Sequence, residues 1–103
     1  MARIAAIVPD LFFASKVKET LTAAGHEVTL VTGEVPAADL VVVDLDAAGP
    51  ASASEGVPRL GFYSHVDVDT RRRAQEAGFD LVVPRSRMAR EMPALVESLL
   101  GSG

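Results

Sequence analysis

Four short apolar runs in this chain lead into side chains that can do chemistry. Ile4–Val8 is followed by Pro9 and Asp10, and Leu40–Leu45 contains Asp44 and is followed by Asp46. Leu60–Tyr63 ends on Ser64 and His65, and Leu81–Val83 is followed, one proline later, by Arg85. An aspartate can ligate a hard cation or accept a phosphoryl group, and a hydroxyl and a guanidinium can hold the oxygens of a group in transfer. Three carboxylates in one place repel one another unless a divalent cation or a guanidinium offsets the charge. Each residue also has a plainer use. Asp10 can be a helix N-cap, Asp46 a turn residue, Ser64 and His65 loop polar groups, and Arg85 the ion-pair partner of Asp44. Asp44 is harder to explain away, because a carboxylate at the end of a buried strand is costly unless it is paired or protonated.

These groups depend on the elements that carry them. Five runs read as strands: Ile4–Val8, Val28–Val31, Leu40–Leu45, Leu60–Tyr63 and Leu81–Val83. Three are almost unbroken Val, Ile and Leu, the pattern of strands buried on both faces of a parallel sheet. A helix is expected from Asp10 to Gly25 with Phe13, Val17, Leu21 and Ala24 on its inner face, and a second over Val68–Ala77, opened by Asp67 or Asp69 and closed by Gly78. A third uses Leu95, Val96, Leu99 and Leu100, with Pro93 in its first turn and Ser86–Met92 as a separate turn. Strands alternating with helices point to an α/β fold with right-handed crossovers. Two crossovers look reduced or missing. Thr32–Asp39 is too short for a helix, and Asp46–Pro58, rich in Ala, Ser, Gly and Pro, has room for one or two turns from Pro50. One sheet face is therefore expected to be poorly covered, and self-association or a partner would hide it. The Phe12–Phe13 pair is expected to be half core and half exposed. Phe12 is assigned to the core, although exposed it would mark a contact point.

Length and composition narrow the classes. The chain has 103 residues, 49% of them hydrophobic and 23% charged, and no cysteine, which fits a single globular domain over 1–100 with a frayed 101–103. Disulfide, thiolate-metal and cysteine-nucleophile chemistry are excluded. A net charge of −4 argues against nucleic acid and anionic membranes as partners, although Arg71–Arg73 and Arg85, Arg87 and Arg90 leave room for local basic faces. The Ile4–Val8 run is too short to span a bilayer and lacks the layout of a signal peptide, so a cytoplasmic location is expected. His26 and His65 are expected to have no special role.

The segments IVPD, DLVVVDLD, LGFYSH and EAGFDLVVPR resemble those of the response-regulator receiver family over most of the chain. The resemblance implies a flavodoxin-like parallel five-stranded sheet of order 2-1-3-4-5. It also implies Mg²⁺ held by Asp10, Asp44 and the backbone carbonyl of Asp46, with Asp44 as phosphoacceptor, Ser64 as the hydroxyl switch and Arg85 in place of the family's lysine. Two positions depart from the pattern, since Pro9 stands where the family has its first acid and Arg85 is not a lysine. Proline brings neither a carboxylate nor an N–H, and a planar guanidinium does not reproduce a compact ammonium.

Two functions follow. One is an atypical receiver acting as a protein-interaction module independently of phosphorylation, not an enzyme, with a histidine kinase or downstream signalling protein as partner and a homodimer as a further option. The other is a Mg²⁺-dependent phosphoacceptor modified on Asp44. A metal-dependent phosphohydrolase built on Asp44 and Asp46 is disfavoured, because such enzymes place the pair after the first strand and need further motifs. A flavin or nucleotide carrier is disfavoured too, since Pro9–Ala14 lacks the small residues that cradle a phosphate.

Overall fold

The structure is a computed structural model and describes residues 2–32, 35–47, 56–64 and 68–101. The elements in chain order are β1 (Arg3–Ile7), α1 (Leu11–Ala23), β2 (Glu27–Leu30), β3 (Leu40–Asp44), β4 (Arg59–Tyr63), α2 (Val68–Glu76), β5 (Leu81–Pro84) and α3 (Arg85–Leu100). Each strand lies within one residue of its expected position at either end. The five form one sheet of order β2-β1-β3-β4-β5, and every pairing is parallel. This is the flavodoxin-like order, in which the chain reverses its direction of winding after β2, so that the switch point lies between β1 and β3.

Every residue of β3 is buried, as its run of valines requires of a central strand covered on both sides. Alternation along the strands then builds two cores. On one face Ile4, Ala6, Leu40, Val42, Leu60, Phe62 and Val83 pack against Phe13, Val17 and Leu21 of α1 and against Met88, Met92 and Val96 of α3. On the other, Ala5, Val41, Val43 and Leu45 meet Ala74 and Phe79.

That second face is not bare. Among the described residues 31–32 and 35–39 there is no helix, so the β2–β3 crossover is reduced as expected. Yet Val41 and Val43 are fully buried, because Val31, Val35, Ala38 and Val57 from the connections pack over this core. Apolar side chains on non-helical connections do what a helix does elsewhere. The expected turn from Pro50 and the candidate cap Asp67 lie outside the described residues, as do positions 102–103 of the C-terminal tail.

Three local expectations change. Ala24 is exposed and is the C-cap of α1, not part of its inner face, since the chain leaves the helix there and Gly25 takes φ +97°. Asp69 lies in the first turn of α2 and does not precede it. Ser86–Met92 is helical and not an irregular turn, but α3 consists of two helical stretches that meet at a kink at Glu91 (φ −120°, ψ 16°), so Pro93 falls in the first turn of the second stretch as expected. Pro93 explains the kink, because it has no N–H to donate and its ring crowds the carbonyl four residues earlier.

Candidate functional site

The carboxyl ends of β1, β3, β4 and β5 share one rim of the parallel sheet, and each delivers its polar residue there. Asp10 follows β1 and caps α1, its Oδ1 accepting from the N–H groups of Phe12 at 3.0 Å and Phe13 at 3.3 Å. Its Oδ2 accepts from the Arg85 guanidinium at 2.6 Å, across 75 residues of sequence. The guanidinium carbon also lies 4.4 Å from the centre of the Phe13 ring, so one cation is held by a carboxylate and an aromatic face together. Asp44 ends β3 with 5% of its surface exposed, and its Oδ1 accepts from the Asp46 N–H at 3.1 Å. Asp46, exposed, accepts from the Ser64 N–H and ties the β3 turn to the end of β4.

The electrostatics separate the half-exposed Asp10 from the buried Asp44. The Arg85 bond, followed by the Phe13 amide, holds the Asp10 carboxyl below its ordinary 3.8. Burial pushes Asp44 above 3.8, with the neighbouring Asp46 charge adding to the effect. Asp10 therefore contributes stability above pH 3.8 that is lost as pH falls through its lowered folded value. Asp44 works in the opposite sense: its ionised form is penalised by folding, so the penalty is present above its raised value and disappears as pH falls toward 3.8. We expect Asp44→Asn, whose amide oxygen can keep the Asp46 N–H bond, to raise the melting temperature at neutral pH and to lose that gain in acid. A melting temperature lowered equally at both pH values would contradict this assignment.

No family model matches the chain, and no curated protein matches its sequence. Solved structures do. The NtrX protein from Brucella abortus in complex with ADP superposes with a TM-score of 0.83 at 18% identity over 98% of this chain, which spans only 26% of that one. The HemR receiver domain from Leptospira biflexa, non-phosphorylated, gives 0.80 at 22% identity over 100% of this chain and 97% of its own. An orphan response regulator of H. pylori gives 0.79 at 16% identity, covering 95% of each chain. The fold is that of response-regulator receiver domains.

Against the receiver pattern, the rim brings Asp10 and Arg85 into contact, with Asp44 close enough to feel the Arg85 charge. Arg85 pairs with Asp10, and not with Asp44 as the ion-pair alternative had it. Asp46 and Ser64 meet each other through a backbone N–H, and His65 lies outside the described residues. Mg²⁺ takes near-octahedral oxygen ligands at about 2.0–2.1 Å. Both Asp10 oxygens are already engaged, one of them by a cation, and among the described residues no three carboxylate or imidazole groups gather around a metal position. The donor set as arranged does not fit the ion.

Two buried polar residues had no signal in the sequence pattern. His26 accepts the Ala2 N–H on Nδ1 at 3.3 Å and meets Glu97 on Nε2 at 3.0 Å, which fastens the start of the chain to the end of α3. Arg59, 8% exposed at the start of β4, donates to the Ala77 carbonyl and stacks 5.0 Å from the Phe79 ring centre. Both lie away from the carboxyl rim and serve the fold.

Proposed function

We propose that this chain is an atypical receiver-like signalling module that works by binding a protein partner, independently of phosphorylation. One observation carries the reading: the Arg85 guanidinium rests on Asp10 at 2.6 Å and on the Phe13 ring at 4.4 Å, in the space where a receiver's divalent cation and acid pair would work. A cation built into the chain offsets the Asp10 carboxylate, the one the resemblance assigns to the metal. Pro9 agrees with this, since it removes the other acid that a metal would need. The module makes no product, and its partner is a histidine kinase or downstream signalling protein in the cytoplasm.

The test is incubation with acetyl phosphate and Mg²⁺ followed by intact-mass measurement. No phosphoryl adduct is expected, and a Mg²⁺ titration followed at the backbone amides should leave Asp10, Asp44 and Asp46 unmoved. Stoichiometric phosphorylation of Asp44 would overturn the proposal. It would establish the second reading, favoured by the register that sets Asp44 beside Phe62 and links Asp46 to Ser64: a Mg²⁺-dependent phosphoacceptor. In that case Asp44→Asn abolishes the adduct and Ser64→Ala slows its formation.

A further inference from the structure

The first turn of α1 presents two large apolar side chains to solvent, Leu11 at 80% and Phe12 at 91% exposure. Phe12 was expected in the core. Phe13 alone is buried, on the inner face expected of it, because in a helix only one of two adjacent residues can face the sheet. Burial of an exposed phenylalanine is favourable, and here a place for one lies alongside. A groove of about 520 Å³ runs between the end of β1, the start of α1 and the end of β2, with Pro9, Leu11, Ala14, Leu30 and Val31 among its walls. It continues past Leu30, which is part exposed, into a second groove of about 680 Å³ along Ser15, Lys18, Glu19 and Thr22. The floor is apolar, and the outer edge is β2, the edge strand of the sheet.

We infer that this surface binds a second copy of the same chain, with Phe12 of each copy seated in the groove of the other. Three features favour a copy over an unrelated protein. Knob and groove lie on one rim a few residues apart, so a twofold axis passing between them fills both grooves at once, as an isologous contact requires. The α1 wall of the groove carries Lys18 and Glu19, a pair of opposite signs that lets an antiparallel copy set Lys against Glu although the whole chain is at −4. The knob is also preorganised, since the N–H of Phe12 is bonded to Asp10, which Arg85 holds from the other side. This last point rests on the static polar rim proposed above; the complementarity of knob and groove does not.

The chain has no cysteine, so single-cysteine variants report the contact without ambiguity. Sedimentation equilibrium at micromolar concentrations should show a reversible monomer–dimer equilibrium. Phe12→Glu and, from the groove side, Leu30→Glu should each weaken it roughly tenfold or more with the circular dichroism unchanged, whereas Arg72→Glu on α2 should leave it intact. Ser15→Cys should be captured as a covalent dimer by a short bismaleimide and Arg72→Cys should not. A monomer at every concentration, or a dimer indifferent to Phe12→Glu and Leu30→Glu, would overturn the inference. Phosphorylation of Asp44 in a protein that still dimerises through Phe12 would overturn the static-rim reading alone.

Discussion

Phe62→Ala is expected to cost about 3–5 kcal/mol, the usual range for deleting a fully buried phenylalanine. Phe62 has no exposed surface, and it sits on the face of the sheet covered by α1 and α3. Its ring centre is 4.9 Å from that of Phe13 with the planes at 52°, a tilted pair that adds to the area term. Against a domain stability of about 5–15 kcal/mol, the loss is a large fraction of the whole. In urea, with a slope of about 1–3 kcal/mol per M, the unfolding midpoint should fall by more than 1 M. The effect reaches the rim as well. Phe62 packs against Phe13, and Phe13 in turn carries the Arg85 guanidinium, so the cavity loosens the support of the Asp10–Arg85 pair. Phe62→Leu, which keeps most of the volume, should cost much less and leave the pair in place. A Phe62→Ala midpoint within experimental error of wild type would mean that this core refills freely, and the rim could not then be regarded as supported by it.

The sheet and its polar rim were legible in the sequence because they follow from short-range patterns. Unbroken Val and Leu around 40–45 dictate a strand buried on both faces, and the residues after each run fall at the carboxyl ends once the strands are parallel. The N-cap of α1 was legible for the same reason, since an aspartate before an apolar periodicity has a local partner in the next amides. What could not be read depends on distances between elements. Asp10 and Asp44 are equally plausible partners for Arg85 along the chain, and only the placement of α3 against α1 decides for Asp10. The spacing of Phe13 to Val17 and Leu21 places it on the inner face of α1, and only the outward turn of its neighbour Phe12, which that helix phase already requires, was missed. Pro93 argues for a helix start and a second helical stretch does begin there; what the sequence hides is that Ser86–Met92 before it is also helical, with Met88 and Met92 packed on the sheet. The covering of Val41 and Val43 by non-helical connections has no periodicity to announce it. Arg59 is hidden for a different reason: a charged residue at the start of a strand looks like its solvent boundary, yet here it is folded under Phe79.

That arginine makes one glycine costly to replace, and a second glycine provides the control. Gly78 closes the turn after α2 at φ +89°, and a β-carbon there would stand 2.6 Å from Nη2 of Arg59. The guanidinium cannot easily move aside. It is buried, it donates to the Ala77 carbonyl, and its Nε has no partner among the described residues, so displacement exposes an already undersatisfied cation to further loss. Gly25 follows α1 at φ +97° with nothing within 4 Å of its would-be β-carbon. Both alanine variants incur the left-handed backbone cost of about 1–2 kcal/mol, but only Gly78→Ala adds the overpacking, about 1–3 kcal/mol. We expect a total of about 2–5 kcal/mol for Gly78→Ala, and Gly25→Ala to stop at the backbone share. Urea unfolding of the two variants beside wild type measures the difference directly. If the two costs were equal, the Arg59 guanidinium would have yielded without penalty, and its packing between Ala77 and Phe79 would contribute nothing to how α2 is held against the second face of the sheet.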